Sequence, residues 1–370
     1  EDGGIRVLNQ KCIRNHEINY DLSRRHNFEF KKFSEDRFIK KGDVLINSTG
    51  QGTLGRVAQV RKEPKEPTTV DSHITIVRPK EDILYLEYFG YAAISIEKII
   101  KNSGQGASGQ TELAKLKVQN ELEISFPQSL KEQKRIVTKL DDIFAELDLI
   151  ISNTNLSKSN LDLILSRYLN NVFSAKDNFY SGTIKDFCSI ISGRTVNKNL
   201  EKDSGDLPYL KVADMNIKGN EIEITTSSRF LDSKNINKRN IINKGAIIFP
   251  KRGGAIATNK KRITATEIAV DLNIMTVEPK DGLNPKLLFY YFLSIDLGLL
   301  GSGSSVPQIN HYDIEPLEIN FPNDASEQKS LVSNLDIFYN NIKKLEEIYT
   351  NKLHNLFALK STILETEIQH

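Results

Sequence analysis

The 370-residue chain carries 50 Lys and Arg against 48 Asp and Glu, a formal net charge of +2, with 39% apolar residues. That length exceeds what one core usually holds, so two domains are expected, and so small a net charge does not by itself announce nucleic acid. Cys12 and Cys188 cannot build a disulfide framework and no secretory signal opens the chain, so a cytoplasmic location is expected; the apolar run at 287–300 is short and contains Asp296, which favours a buried helix over a membrane span.

Taken in chain order, the first recognisable unit is a Lys-Gly turn and apolar strand, Lys41, Gly42, Asp43, Val44, Leu45, Ile46. A Gly-rich polar loop follows, with Ser48, Thr49, Gln51, Thr53 and Arg56. Then come a β-type run at 74–77, an aromatic helical stretch at 84–94, and a second Gly/Ser loop at 102–110 containing Ser108 and Gln110.

Residues 126–141 read FPQSLKEQKRIVTKLD and open a long helical pattern. Ser129 with Glu132 has the cap-plus-three spacing of a helix start, and Pro127 blocks backward extension. Apolar residues then recur four and three apart at Ile136, Leu140, Ile143, Leu147 and Ile150, and again at Leu161, Ile164 and Tyr168. A spacing that averages 3.5 draws a narrow seam that needs a partner helix. About 40 residues at 1.5 Å each make a rod of roughly 60 Å, which is a spacer rather than part of a small core. Its middle holds Asn153, Thr154, Asn155, Ser157, Ser159 and Asn160, poor helix formers, so a helical hairpin competes with a continuous, kinked rod as the expected form.

The whole plan then repeats. Lys244, Gly245, Ala246, Ile247, Ile248, Phe249 restates the first strand 203 positions later, followed by a loop with Lys251 and Arg252 and a basic run Lys260, Lys261, Arg262. A β-type run at 274–277, an aromatic stretch at 287–297 and a Gly/Ser loop with Ser304, Ser305 and Gln308 follow. Residues 321–336, FPNDASEQKSLVSNLD, match the first copy at eight of sixteen positions with a shift of 195. Asp324 with Glu327 marks the second helix start, and its seam runs through Leu331, Leu335, Phe338, Ile342, Leu345, Tyr349, Leu356, Leu359 and Ile363. Two seams in the same register can cover each other. The expected organisation is a first globular domain at 1–129, a spacer helix at 130–176, a second domain at 177–324 and a second spacer helix at 325–370. Nothing in the first half matches the stretch 182–192, so a complete first copy would require about 25 residues ahead of Glu1.

Paired Gly-rich loops after strands are the binding candidates, because Gly lets backbone amides approach phosphates. Their side chains are those that contact DNA: Arg and Lys for phosphate or guanine, Gln and Asn for adenine, Ser and Thr for either. A solvated surface loop is the competing reading for any one residue; equivalent placement by duplication favours function for the four loops together. Basic clusters at Lys31 and Lys32, Lys40 and Lys41, Arg56, Arg61 and Lys62, and their second-half counterparts, lie beside them, while each rod is close to neutral. Catalytic signatures are absent: there is no phosphate loop and no Asn-Pro-Pro-aromatic motif, and the six histidines have no metal-binding spacing. Asp271 with Glu278 and Lys280 imitates a nuclease cluster, but the first copy has Arg78 where the second has Glu278. No catalytic residue and no metal ligand is assigned.

A KGD-type strand and Gly loop, a late Gly/Ser loop with Gln110 or Gln308, then F-P with Glu-Gln-Lys and a long helix, all present twice, resembles the specificity subunit of type I restriction-modification systems. The resemblance implies an α+β architecture in which two homologous target recognition domains alternate with two long helices packed as an antiparallel coiled coil with pseudo-two-fold symmetry. It also implies double-stranded DNA with a bipartite target as ligand, and as partners two methylation subunits and, through them, restriction subunits. S-adenosylmethionine, ATP and magnesium would belong to those partners, and this chain would have no cofactor. Recognition domains with different targets share little loop sequence, so the candidate contacts rest on position and chemistry alone. The competing readings are the recognition module of a fused restriction-modification enzyme and a coiled-coil scaffold that binds only protein.

Overall fold

The computed structural model describes residues 4–27, 34–104, 112–174, 176–301 and 306–369. The chain divides into two compact units, one formed by 1–155 with 351–370 and the other by 156–350. Two long helices contribute to both: the first rod, Leu130–Val172, and the second, Ala325–Gln369.

Each rod is one uninterrupted helix. The hairpin alternative for the first fails because its polar middle satisfies itself: the Thr154 hydroxyl is buried and donates to the Ile150 carbonyl at 2.7 Å, and Ser159 donates to Leu156 at 2.9 Å. The starts are capped as the spacing requires, with the Glu132 amide donating to Ser129 Oγ and the Ser326 and Glu327 amides to Asp324 Oδ1.

Within the first unit the rods run antiparallel. Lys139 bonds Glu367 at 2.7 Å, and nine residues further along, Asp148 accepts from Lys360, seven residues back, at 2.6 Å. Ile136, Val137, Leu140, Phe144 and Leu147 share one buried cluster with Leu364 and Ile368. Within the second unit Leu169, Val172 and Phe173 are buried with Val332, Leu335 and Tyr339, and the Tyr168 and Phe338 rings lie 4.1 Å apart. The strict 3.5-residue seam does not survive along the whole length: Ile150, Ile164, Leu345 and Leu359 are exposed, while Phe144 and Ile151 are buried. A helix at 3.6 residues per turn drifts away from a 3.5 repeat, and the globular domains cover a second face of each rod.

The first domain is built on two three-stranded sheets. One orders Arg24–His26, Ile5–Leu8, Thr68–Val70; the other orders Val57–Gln59, Val44–Asn47, Ile74–Val77. In the second domain Phe230–Leu231, Leu207–Leu210 and Ala269–Val270 repeat the first arrangement. The second arrangement grows to five strands, Cys188–Ser192, Ile274–Pro279, Ile247–Pro250, Arg262–Thr264 and Glu223–Ile224. Registers repeat as well: Asn47 faces Ile74 in the first domain and Pro250 faces Ile274 in the second. Pro250 is the last residue of its strand. Among the described residues Ile74–Val77 pairs on one side only, whereas Ile274–Pro279 is also paired by Cys188–Ser192.

The Lys-Gly turns have a steric cause. Gly42 and Gly245 sit at φ +94° and +88°, and a Cβ would meet Leu86 Cδ2 at 2.7 Å in the first and Pro285 at 3.0 Å in the second. Those two residues open the aromatic helices, Leu86–Ser95 and Pro285–Ser294, the second ending three residues before the pattern suggested. The aromatic helices bury Tyr88, Phe89 and Tyr91, and Leu287 to Phe292, between sheet and rod.

A buried glutamine joins each domain to its rod. Gln133 accepts from the Tyr85 amide at 2.7 Å and donates to the Ile83 and Pro127 carbonyls at 3.0 and 2.7 Å. Gln328 makes the same three bonds, to Asn284 at 2.8 Å, Gly282 at 2.8 Å and Pro322 at 2.9 Å. Replacing either Gln133 or Gln328 by Ala leaves three backbone groups, most of them partly buried, without these partners. The expected loss is about 2–4 kcal/mol in urea unfolding, with an unchanged dependence on denaturant.

Candidate nucleic-acid interface

In both domains the Gly-rich loop leaves the end of its strand between two other segments, and the backbone bonds that hold it there are the same. In the first domain the Ser48 amide donates to His73 O, and the Leu113 amide to Ser48 O, both at 2.8 Å. In the second the Lys251 amide donates to Asn273 O at 2.8 Å, and the Ile309 amide to Lys251 O at 2.9 Å. Bridges between Thr49 and Glu112, and between Arg252 and Gln308, complete the match. Each domain thus gathers three connecting segments at one strand end, and bonds made only by backbone leave the side chains free to differ.

The side chains do differ. In the first domain Ser48 is buried against Thr75, Oγ to Oγ1 at 2.5 Å, and so faces inward. Thr49 meets His73 Nδ1 at 2.7 Å, and Thr53 donates to Gln10 Oε1 at 2.5 Å. Arg56 is half-buried and donates to the Ile13 and Gly52 carbonyls, which brace the loop; Gln51 is exposed. Arg61 is turned to the rod, 3.5 Å from Asp141.

The second domain presents cations at this junction. Arg252 and Arg194 are exposed, and among the described residues neither guanidinium has a hydrogen-bond partner. Lys251 donates to Ser192 Oγ at 2.8 Å, and Ser192 Oγ lies 3.0 Å from His311 Nε2. Burial and the neighbouring Arg252 charge lower the Lys251 pKa, with Asp271 opposing. Gln308 donates to Asn310 at 2.7 Å, and Asn310 to the Tyr312 hydroxyl at 2.8 Å, so a polar chain runs from the bridge with Arg252 to an exposed aromatic ring.

Lys251, Arg252 and Gln308 are brought together; the basic run is not. Lys260 is held by Asn216, and Arg262 by the carbonyls of Asn220, Lys261 and Met215. Lys261 is buried at 2% exposure, its ammonium donating to Asn259 Oδ1 and Ile295 O, both at 2.6 Å. The expectation that Lys261 meets DNA is therefore corrected: the strand pairing of Arg262–Thr264 carries this lysine into the core. Ser108, Gln110, Ser304 and Ser305, with Lys31 and Lys32, lie outside the described residues. Ser192, Arg194 and His311 escaped sequence reading, since the stretch around the first two has no counterpart in the first half and His311 sits in no motif.

The acidic residues have structural partners. Asp43 is buried and holds Arg78 at 2.7 Å; in the second copy, where Ala246 replaces Asp43, Glu278 instead accepts from the Asn243 amide at 2.7 Å. Lys280 donates to the Lys185 and Asp186 carbonyls, and Asp271 accepts from the Asn273 amide and side chain. Among the described residues no group of three or more His, Cys, Asp or Glu is placed to hold a metal ion. Both cysteines are buried and free, and burial pushes the Cys188 thiol up to about 12.

The model of the type I restriction modification DNA specificity domain matches the chain twice, over residues 2–156 and 176–354. The chain belongs to that family, and it is a DNA sequence-recognition subunit of the type I restriction-modification class. Among solved structures, a chain from work on complex assembly and conformational transition of the type I R-M system superposes with a TM-score of 0.78 at 16% identity, covering 98% of this chain and 91% of that one. The HsdS subunit from Thermoanaerobacter tengcongensis gives 0.53 at 17% identity, covering 98% and 90%. These two share the fold of two domains and long paired helices. No curated protein matches the sequence. No helix among the described residues is long and apolar enough to cross a membrane.

Lys261 supplies a pH test of its reassignment. Desolvation lowers its pKa from 10.5 to about 8, so the unfolded chain binds the extra proton between those values and stability rises with pH there. Between about pH 8 and pH 9.5 the wild type should gain stability relative to Lys261→Met, measured by urea unfolding of both proteins.

Proposed function

We propose that the domains at 1–129 and 177–324 each read one half of a bipartite duplex target, and that the spacer helices at 130–176 and 325–370 set the separation of the halves and dock two methylation subunits. Restriction subunits join through these. S-adenosylmethionine, ATP and magnesium serve the partners, and this polypeptide works in the cytoplasm without a cofactor or chemistry of its own. The observation that carries the reading is the repeated three-segment junction: one backbone frame, two sets of side chains, hence two different half-sites.

The contacts follow from chemistry and exposure. In the second domain Arg252, Lys251 and Gln308, with Arg194, Ser192 and His311 beside them, offer cationic and amide donors to phosphates and base edges. In the first, Gln51 and Thr49 are the side chains offered to bases, while Ser48, Thr53 and Arg56 shape the loop. Ser108, Gln110, Ser304 and Ser305 stay in the set by position, and Lys260 as a phosphate contact once released from Asn216.

Arg252→Ala should weaken binding and reduce the slope of log affinity against log salt by about 0.9 if it meets one phosphate; Lys261→Met should leave that slope unchanged. Fluorescence anisotropy across a salt series reads both. Adding one heptad to both rods should lengthen the preferred spacer and leave the half-site bases alone. Maps of methylated adenines from a host carrying the complete system would show a split motif with a longer gap; altered half-site bases, or no split motif in the wild type, would refute the proposal.

A further inference from the structure

Four of the eight residues common to both rod starts line one face. Gln133, Val137, Leu140 and Asp141, and likewise Gln328, Val332, Leu335 and Asp336, fall at i, i+4, i+7 and i+8. That face meets the adjoining domain at two polar points. The glutamine, with its three backbone bonds, is one. The aspartate is the other: Tyr91 donates its hydroxyl to Asp141 Oδ1 at 2.5 Å, and Tyr290 donates to Asp336 Oδ1. A cation attends each, but from different places. Arg61, outside the aromatic helix, lies 4.4 Å over the Tyr91 ring, whereas Lys286, on the aromatic helix itself, bonds Asp336 at 2.9 Å.

The two points are eight residues apart, about 12 Å along the axis. One polar anchor would leave the domain free to pivot on an apolar patch, because apolar contact is not directional. A second anchor removes the pivot. The patch itself does not depend on the hydroxyls: the Tyr91 ring meets Phe144 edge-on at 5.6 Å and Tyr290 meets Tyr339 at 5.9 Å. The aspartates are also partly exposed, with side chains 49% and 31% accessible, so their contribution to folding is modest.

We propose that Tyr91 with Asp141, and Tyr290 with Asp336, are positioning pairs that fix the direction in which each domain leaves its rod, and thereby limit the protein to one spacer length. The inference rests on the bipartite reading above. The rods supply the length of the interval; these pairs supply its sharpness.

The test expresses the full chain with its cognate partner subunits and maps methylated bases genome-wide. The wild type should show one split motif with one gap. Tyr91→Phe and Tyr290→Phe keep the ring and should raise methylation at gaps one base pair longer or shorter about tenfold over the wild type, with the same half-site bases. Asp141→Asn and Asp336→Asn should move in the same direction, and decide the matter if a tyrosine variant loses methylation everywhere. A purely structural role predicts lower methylation at all sites in proportion, with the gap unchanged; that result overturns the inference. A wild type without a split motif would instead sink the bipartite reading, so the two failures are separable.

Discussion

A helix that begins in the open has four amides with no partner inside it, and a domain that packs on such a helix must supply bonds without enclosing orphaned backbone. Ser129 and Asp324 cap the free amides, and Gln133 and Gln328 meet the second demand. Each side chain has one acceptor and two donor hydrogens, and all are matched by backbone groups of the loop before the aromatic helix and of the Phe-Pro turn before the rod. Everything further out depends on this joint. The aromatic helix lies on the rod because of it, the Lys-Gly strand packs on the aromatic helix through a glycine too close for any side chain, and the three-segment junction sits at the far end of that strand.

The same frame tolerates very different contents. Asp43 is buried and pairs with the exposed Arg78 in the first domain, and the second has instead Ala246, whose amide donates to the Thr264 hydroxyl, and Glu278 against Asn243. Removing Arg78 alone would strand the buried Asp43 carboxylate. At the junction the bonds common to both domains involve no side chain. Its bonds are carried by main-chain groups at Ser48 and Lys251, and substitution there does not disturb them. A scaffold bound together by backbone and a reading surface made of side chains is a physical basis for recognition domains that diverge quickly in what they bind while keeping their shape.

Duplication made much of this legible. Eight identities in sixteen residues marked the rod starts, cap spacing marked their first turns, and apolar periodicity marked faces that needed cover, since these are local properties read within one or two helical turns. Periodicity misled where it was followed too far: Ile150, Ile164, Leu345 and Leu359 keep the seam's spacing but face solvent, because a straight helix drifts from that spacing. The basic run at 260–262 misled for another reason. Lysine and arginine look alike in sequence whether they face solvent or bond carbonyls in the interior, and only strand pairing separates Lys261 from Arg252.

By itself the sequence determined that there are two domain-and-rod copies, that each rod is helical with a capped start, and that paired Gly-rich loops follow equivalent strands. These depend on neighbours along the chain and on comparison of one half with the other. Only the tertiary structure decided which partners the shared Gln and Asp hold, which cations are exposed, and that Ser192 and His311 join Lys251 from segments 59 residues before it and, from Ser192, 119 residues on. Such contacts close long loops, and nothing in local spacing announces a hydrogen bond made across so many residues.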